Sequence, residues 1–320
     1  MEFEFMIPGR IVFGPGKIKM LPELAGGFSS RILLICGQGS LRRLGVLNQV
    51  VEGFSKANQT CHVYENIPRE PQVKDVDDCA SFASSLNIDR VVGIGGGSVL
   101  DVAKAVSGLL TNGGSVLDYL EGVGAGRKIV KPPVPMVAVP TTAGTGTEAT
   151  KNAVIASRED RFKKSIRSPM LIPKVALLDP ELTISLPAEI TATSGMDALT
   201  QCVEAYISRK AKPLAAVMAV DGARLIAAHV PTAYHHGDDL TARGEVMLGA
   251  LQSGIALGNS GLGAAHGIAA ALGALYGIPH GLACAVLLPE VMEINAPQVG
   301  EKITSLAGAL TGGAFSGSTD

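Results

Sequence analysis

The chain has no tryptophan, and aromatic residues make up only 4% of its 320 positions. A surface that stacks nucleic-acid bases on aromatic rings has little to draw on. Net charge is −2, with no long block of one sign. That excludes a nucleic-acid or anionic-membrane partner held by bulk charge. Cysteine is scarce and scattered: Cys36, Cys61, Cys79, Cys202 and Cys284, an odd number with no CxxC pair. Buried, reduced thiols in a cytoplasmic protein are expected. The opening residues carry Glu2 and Glu4 where a secretory signal needs basic ones, so none is expected. No run of about twenty apolar residues is free of breakers, so no transmembrane helix is expected. Residues 254–274 come closest, but their glycines and histidine suit a packed interior helix pair. No repeat of fixed period occurs, and a single GxGxxG fingerprint is absent.

What is present is glycine, 39 residues of it, alongside an apolar fraction of 47% that is ample for sizeable cores. The first half alternates between short apolar runs and helical patterns. Strands are expected at 10–13, 31–36, 61–64, 90–94, 134–139 and 175–178, and helices at 44–56, 73–86 and 99–110. This alternation implies a doubly wound α/β domain with a parallel sheet. Beyond residue 180 the strand signals stop, and helices are expected at 188–195, 197–208, 214–229, 240–257, 263–275 and 281–294. Two domains follow: residues 1–180, an α/β nucleotide-binding domain, and residues 181–320, all helical. The last residues, 312–320, have the composition of a loop.

Three constellations could carry chemistry. Gly95-Gly96-Gly97-Ser98 follows a strand and opens a helix. There, glycines let the backbone approach a phosphate and the helix N-terminus offers free N–H groups. Asp101 is placed in the first turn of that helix, where its charge suits the dipole. Pro140 to Glu148 is a loop holding Thr141, Thr142, Thr145 and Thr147, rich in hydroxyl donors. Two such loops on one sheet point to a dinucleotide across the strand ends. An NAD site often holds the ribose with an acid after a strand, but the strand ending at Cys36 leads to Gly37, Gln38, Gly39 and Ser40. Arg42 and Arg43 stand close by and can meet a 2′-phosphate, which tilts the reading toward NADP over NAD.

The third constellation looks like a metal site. His266 and His280 are two of six histidines, fourteen residues apart in an apolar stretch. One straight helix would separate them by about 21 Å. Gly277 and Pro279 are breakers, so the helix should stop near Leu275 and a reversing loop can bring both imidazoles to one point. Asp197 and Gln201, at i and i+4, share a helix face. Together they offer a carboxylate, an amide oxygen and two imidazoles, a donor set for Zn²⁺ or Fe²⁺ with a position open to substrate. His235 and His236 fall in a surface loop, and His62 and His229 stand alone as structural residues.

These residues lie in a chain that resembles the iron-containing (group III) metal-dependent alcohol dehydrogenases. The resemblance spans essentially the whole sequence. It rests on IVFGPG at 11–16, GGGSVLDVAK at 95–104, PTTAGTGTE at 140–148, PKVALLDPELT at 173–183, GMDALT at 195–200 and GIPHG at 277–281. It implies a dehydroquinate-synthase-like architecture, an α/β dinucleotide-binding domain followed by a helical metal-binding domain. The implied activity is interconversion of an alcohol with an aldehyde or ketone using NAD(P), with a homodimer as the implied assembly. Asp197, His266 and His280 match metal ligands and would act directly in catalysis. Gly97, Ser98, Thr141, Thr142, Thr145, Thr150 and Lys163 match cofactor contacts, to which Gly37, Gln38, Gly96 and Asp101 are added as neighbours.

The chain departs from the family pattern twice: many members carry histidine where it has Gln201, and again where it has Ala270. An amide oxygen is a weak ligand, and Asp197, His266 and His280 alone still make a three-ligand site that Zn²⁺ accepts. The family's chains also usually continue through further helices, so 181–320 is expected to be a truncated domain. Two other classes share the architecture. A dehydroquinate-synthase-like cyclase would need several basic residues near the metal, and few are in sight. A non-catalytic nucleotide-binding relative would fit Gln201 and Ala270.

Overall fold

The computed structural model describes residues 2–27 and 30–312. The loop expected at 312–320 lies, from residue 313 on, outside the described residues. The chain forms two compact units: Ile7–Thr141 with Thr147–Leu182, and Met1–Met6, Thr142–Gly146 and Thr183–Asp320.

In the first unit the strands are β1 (Arg10–Phe13), β2 (Arg31–Gly37), β3 (Thr60–Ile67), β4 (Arg90–Gly95), β5 (Met136–Pro140), β6 (Asn152–Ser157), β7 (Phe162–Arg167) and β8 (Val175–Leu178). Six of them make one parallel sheet in the order β1-β8-β5-β4-β2-β3. The helices are α1 (Leu21–Ala25), α2 (Ser40–Arg43), α3 (Val46–Lys56), α4 (Val73–Ser84) and α5 (Gly97–Asn112). Alternate residues of each strand point to opposite faces, and both faces are covered. Leu33, Ile35 and Val91 join residues of α4 and α5 in one core, whereas Ile32, Leu34, Cys36 and Val92 join Leu21, Leu47 and Phe54 in the other. Each fully buried branched side chain there contributes about 1.5–3 kcal/mol. That is why β2 reads as an unbroken apolar run.

The hairpin β6–β7 is an addition that the sequence reading lacked. Ala153, Ile155 and Ile166 bury one face of it against the α5 side of the sheet. Lys104, fully buried on α5, ties down its approach. Its ammonium donates to Thr150 O at 2.7 Å, Thr150 Oγ1 at 2.8 Å and Asn152 O at 3.0 Å, using all three of its protons.

The second unit holds α6 (Ala188–Ile207), α7 (Pro213–His235), α8 (Leu240–Ser260), α9 (Ala264–Tyr276) and α10 (His280–Leu310). Two expected helices meet in α6, which continues through Gly195. A glycine inside a helix costs about 1 kcal/mol relative to alanine, less than the packing of α6 against α7 and α8 returns. Both α7, past Pro231, and α10, past residue 294 and Pro297, run further than expected; α10 bends at Val299. By length and composition α7 is apolar enough to cross a membrane. It packs against α6 and α8 and carries the ion pair Asp221–Arg224 at 2.8 Å, as a bundle helix does. The next apolar stretch, α8 with α9, is bent by 102°.

Candidate metal centre

Three helices supply the cluster, and local sequence explains how each delivers its side chain. On α6, Asp197, Gln201 and Glu204 stand at i, i+4 and i+7, one above another on a single face. Gly277, in the left-handed region at φ 68°, ends α9. Pro279 then caps α10, whose first residue is His280. The reversal expected from the two breakers is present, and the rings of His266 and His280 lie 5.5 Å apart between centroids. Gly281 permits the approach: a Cβ there would meet Thr193 O of α6 at 2.2 Å.

Asp197, His266, His280 and Cys284 each offer a donor atom, and the four atoms lie within 4.8 Å of one another. Asp197 Oδ1 is 3.2 Å from His266 Nε2 and 3.7 Å from His280 Nε2, and Cys284 Sγ is 3.7 Å from His280 Nε2. Bonds of about 2.0–2.3 Å to a tetrahedral ion hold neighbouring donors about 3.3–3.7 Å apart. These three separations match or nearly match that range, and the donor set fits a divalent metal ion in its chemistry. Asp197, His266 and Cys284 are buried, while His280 is part-exposed.

Gln201 is buried on the same face of α6, with its Oε1 2.8 Å from Ser253 Oγ of α8, a hydroxyl that also lies 2.7 Å from Ala250 O. The four-donor cluster thus differs from the set read from sequence: Cys284 appears in it, and the Gln201 oxygen is engaged by a hydroxyl.

Glu204 completes the arrangement. Its Oε2 meets His266 Nδ1 at 2.6 Å, and its Oε1 accepts from Ala265 N at 2.7 Å at the start of α9. One carboxylate caps the helix and fixes the ring it carries. With Nδ1–H directed at Glu204, Nε2 faces Asp197 and the donor cluster, the orientation of carboxylate–histidine–metal triads, in which Nε2 gives up its proton when it ligates. Burial works to lower the His266 pKa, but hydrogen bonds with Asp197, Cys284 and Glu204 outweigh it and push it up to about 12. Burial works to raise Asp197, yet its bond to His266 and the two imidazoles hold it below the usual carboxylate range. The same contest, decided by His266 and the amides of Gly263 and Ala265, holds Glu204 low.

Neither Glu204 nor Cys284 was singled out from sequence, although a signal exists for each. Glu204 follows Asp197 at i+7. Cys284 follows His280 at i+4, a relation hidden while the helix was expected to begin at Gly281.

The nucleotide-type residues fall into three groups. Gly37 ends β2 and Gln38 follows it; Gly96, Gly97 and Ser98 lie at the β4–α5 turn; Thr141 follows β5, its N–H donating to Gly95 O at 3.0 Å. Because β2, β4 and β5 are parallel neighbours, these residues share the carboxyl edge of the sheet. The chain steps outward from β2 to β3, then returns to β4 on the other side. That reversal between β2 and β4 is a topological switch point, where open α/β sheets bind ligands.

Asp101, Thr150 and Lys163 form the second group. Asp101 is buried beyond the first turn of α5, not within it, because the helix already starts at Gly97. Its Oδ1 accepts from Thr147 Oγ1 at 3.5 Å, and it faces Lys104. Thr150 is likewise buried on Lys104, and Lys163 lies on β7 opposite Ala156. The third group, Thr142 and Thr145, belongs to the helical unit. The absence of an acid near Gly37 also has a structural answer: Glu65 on β3 holds Arg42 in a forked pair at 2.6–3.2 Å.

The first unit thus has a switch-point edge of the kind that binds nucleotides, and the helical unit a buried cluster of metal-type donors. Comparison with known proteins makes this specific. Residues 8–180 match the family described as iron-containing alcohol dehydrogenase, and residues 191–320 match the Fe-containing alcohol dehydrogenase family C-terminal domain. The chain belongs to the iron-containing alcohol dehydrogenase family. It is 34% identical over 313 residues to long-chain-alcohol dehydrogenase 1 of Geobacillus thermodenitrificans (strain NG80-2), covering 96% of this chain and 78% of that protein. The crystal structure of a 1,3-propanediol oxidoreductase superposes with a TM-score of 0.90 at 35% identity, over 97% of this chain and 80% of the other. The sulfoacetaldehyde reductase of Bifidobacterium kashiwanohense in complex with NAD⁺ does so at 0.87 and 29% identity, over 98% and 85%. The protein is an NAD(P)-dependent, metal-dependent alcohol dehydrogenase that interconverts small-molecule alcohols with their aldehydes or ketones.

Proposed function

We propose that Asp197, His266 and His280 hold the catalytic divalent ion and that the carboxyl edge of the sheet holds the cofactor. The observation that carries this reading is the convergence of three helices on one donor cluster, with 3.2 Å and 3.7 Å from Asp197 Oδ1 to the two imidazoles. When bound, the ion supplies Lewis acidity at the substrate oxygen and the nicotinamide exchanges the hydride.

The chain's own residues position these partners. Glu204 keeps the proton of His266 on Nδ1, so that Nε2 is free to ligate. Asp197 and His266 are buried, and the part-exposed His280 marks the approach for substrate. At the sheet edge, the N-terminus of the sixteen-residue α5 presents its N–H groups and positive dipole end to the pyrophosphate. Gly96 and Gly97 let the backbone come close, while Gly37, Gln38, Ser98 and Thr141 flank it. Thr142 and Thr145 are proposed as further cofactor contacts. Thr150 and Lys163 are proposed as polar contacts at the hairpin, and Asp101 as the buried support of the α5 turn.

His266→Ala tests the assignment. The expected result is loss of metal retention and of alcohol-dependent NAD(P)H production, with NAD(P) binding by fluorescence unchanged. Undiminished turnover in that variant would take the cluster out of the reaction.

A further inference from the structure

We propose that Cys284 is a metal ligand in this protein, and that its thiolate biases the centre toward zinc or cobalt and away from iron. The proposal rests on the reading of Asp197, His266 and His280 as ligands, and deepens it. Those three donors supply one negative charge. The remaining candidate on α6, Gln201, is neutral, and its oxygen lies against the Ser253 hydroxyl at 2.8 Å. Cys284 is fully buried, and its Sγ stands in the same 4.8 Å cluster, 3.7 Å from His280 Nε2. A thiolate beside an imidazole in a tetrahedral site sits about 3.5 Å from it, given bonds of about 2.3 Å and 2.0 Å.

Helix geometry makes the placement deliberate. His280 opens α10, and Cys284 follows at i+4 on the same face, so one helical turn delivers both donors. The backbone there lies against α6, with Cys284 O 3.5 Å from Thr200 Oγ1, whose proton goes to Met196 O at 2.8 Å. As the ion binds, the S–H bond breaks, an S–metal bond forms and the proton passes to solvent. No electron is transferred. Asp197 and the thiolate together balance a divalent charge in a buried site, which a carboxylate with a neutral amide does not. Sulfur is a soft donor, and Fe²⁺ also lies below Co²⁺ and Zn²⁺ in general affinity.

Cobalt substitution tests this. The full chain is stripped with a chelator and titrated anaerobically with Co²⁺, as are Cys284→Ser, Cys284→Ala and His266→Ala, with far-ultraviolet dichroism confirming the fold. The wild type is expected to show visible d–d bands and a near-ultraviolet sulfur-to-cobalt charge-transfer band. Both Cys284 variants should keep the visible bands and lose the charge-transfer band. They should bind Zn²⁺ at least about 10–100-fold more weakly in chelator competition, and lose preference for Zn²⁺ from an equimolar Zn²⁺ and Fe²⁺ mixture. A charge-transfer band that never appears in cobalt-loaded wild type, or that survives in both variants, overturns the role of Cys284 while leaving the three-ligand site intact. If the wild type binds no cobalt, or His266→Ala binds it equally tightly, the site itself is refuted and the proposal with it.

Discussion

Glu204 Oε2 and His266 Nδ1 are 2.6 Å apart, and both side chains are buried. This contact joins α6 to α9 and decides which ring nitrogen of His266 faces Asp197. Glu204→Gln keeps the shape but replaces a charged acceptor with a neutral one. Carboxylate partners of metal-bound histidines are worth about 10–100-fold in metal affinity, and a loss of that size is expected in chelator competition. Glu204→Ala should lose more, because it also leaves the amide of Ala265 without its acceptor at the start of α9. Unchanged affinity in Glu204→Gln would show that the contact serves helix packing alone.

Gly281→Ala tests the approach of α10 to α6. The added methyl meets backbone, Thr193 O at 2.2 Å, not a side chain that can swing away. The helices must separate, and His280 and Cys284 move with α10. Overpacking of this kind costs about 1–3 kcal/mol, which urea unfolding measures. Metal content should fall in parallel, since both donors leave the positions that fit an ion. A variant with full stability and full metal content would mean that α10 approaches α6 less closely than its backbone indicates.

The layout of the α/β unit and the meeting of the two histidines were legible because local signals carry them: apolar runs for buried strands, Gly277 and Pro279 for the reversal. The remaining features depend on information that local pattern lacks. That Gln201 turns its oxygen to Ser253 depends on where α8 packs, fifty-two residues downstream. That Glu65 supplies the acid near Gly37 depends on the register of β3 beside β2. The β6–β7 hairpin was passed over because its strands are short and its turn falls in a charged segment, 158–161, that resembles an ordinary loop. Cys284 was legible in principle, and a helix start set one residue late concealed it.

Buried charge in the first unit makes stability depend on pH. Burial raises Glu148 from 4.5 to about 7, against its own backbone N–H and the charge of Lys104. The folded chain therefore keeps a proton that the unfolded chain releases. The stabilisation is full below pH 4.5 and is lost as pH rises through about 7. Asp101, raised from 3.8 to about 6, has the same sign. Lys104, lowered from 10.5 to about 8, has the opposite sign and acts only above that pH. Glu148→Gln should flatten the fall between pH 5 and pH 7 and exceed the wild type at pH 8 by up to about 3 kcal/mol. Denaturant midpoints at the three pH values measure this, and parallel profiles for the two proteins would contradict it.

With the cofactor at the sheet edge as proposed, the choice between NAD and NADP is expected to turn on Arg42. Its guanidinium lies one turn of chain beyond Gln38 and is held by Glu65, with Nη2 to Oε2 at 2.6 Å and Nε to Oε2 at 2.9 Å. A 2′-phosphate must take Arg42 from this carboxylate and also sit beside a negative charge; a ribose hydroxyl faces neither demand. Glu65 therefore acts against NADP, and the preference that Arg42 and Arg43 would confer by themselves is offset. The Arg42 side chain is 59% exposed, so solvent screens the pair and its hold is weak. In Glu65→Gln the ratio of kcat/KM for NADP to that for NAD should rise about fivefold. Arg42→Ala should lower NADP use and leave NAD use nearly unchanged. Raising the salt concentration should shrink the first effect, because exposed charges are screened within about 8–10 Å. A ratio that does not respond to Glu65→Gln at low salt would place the adenosine ribose away from α2.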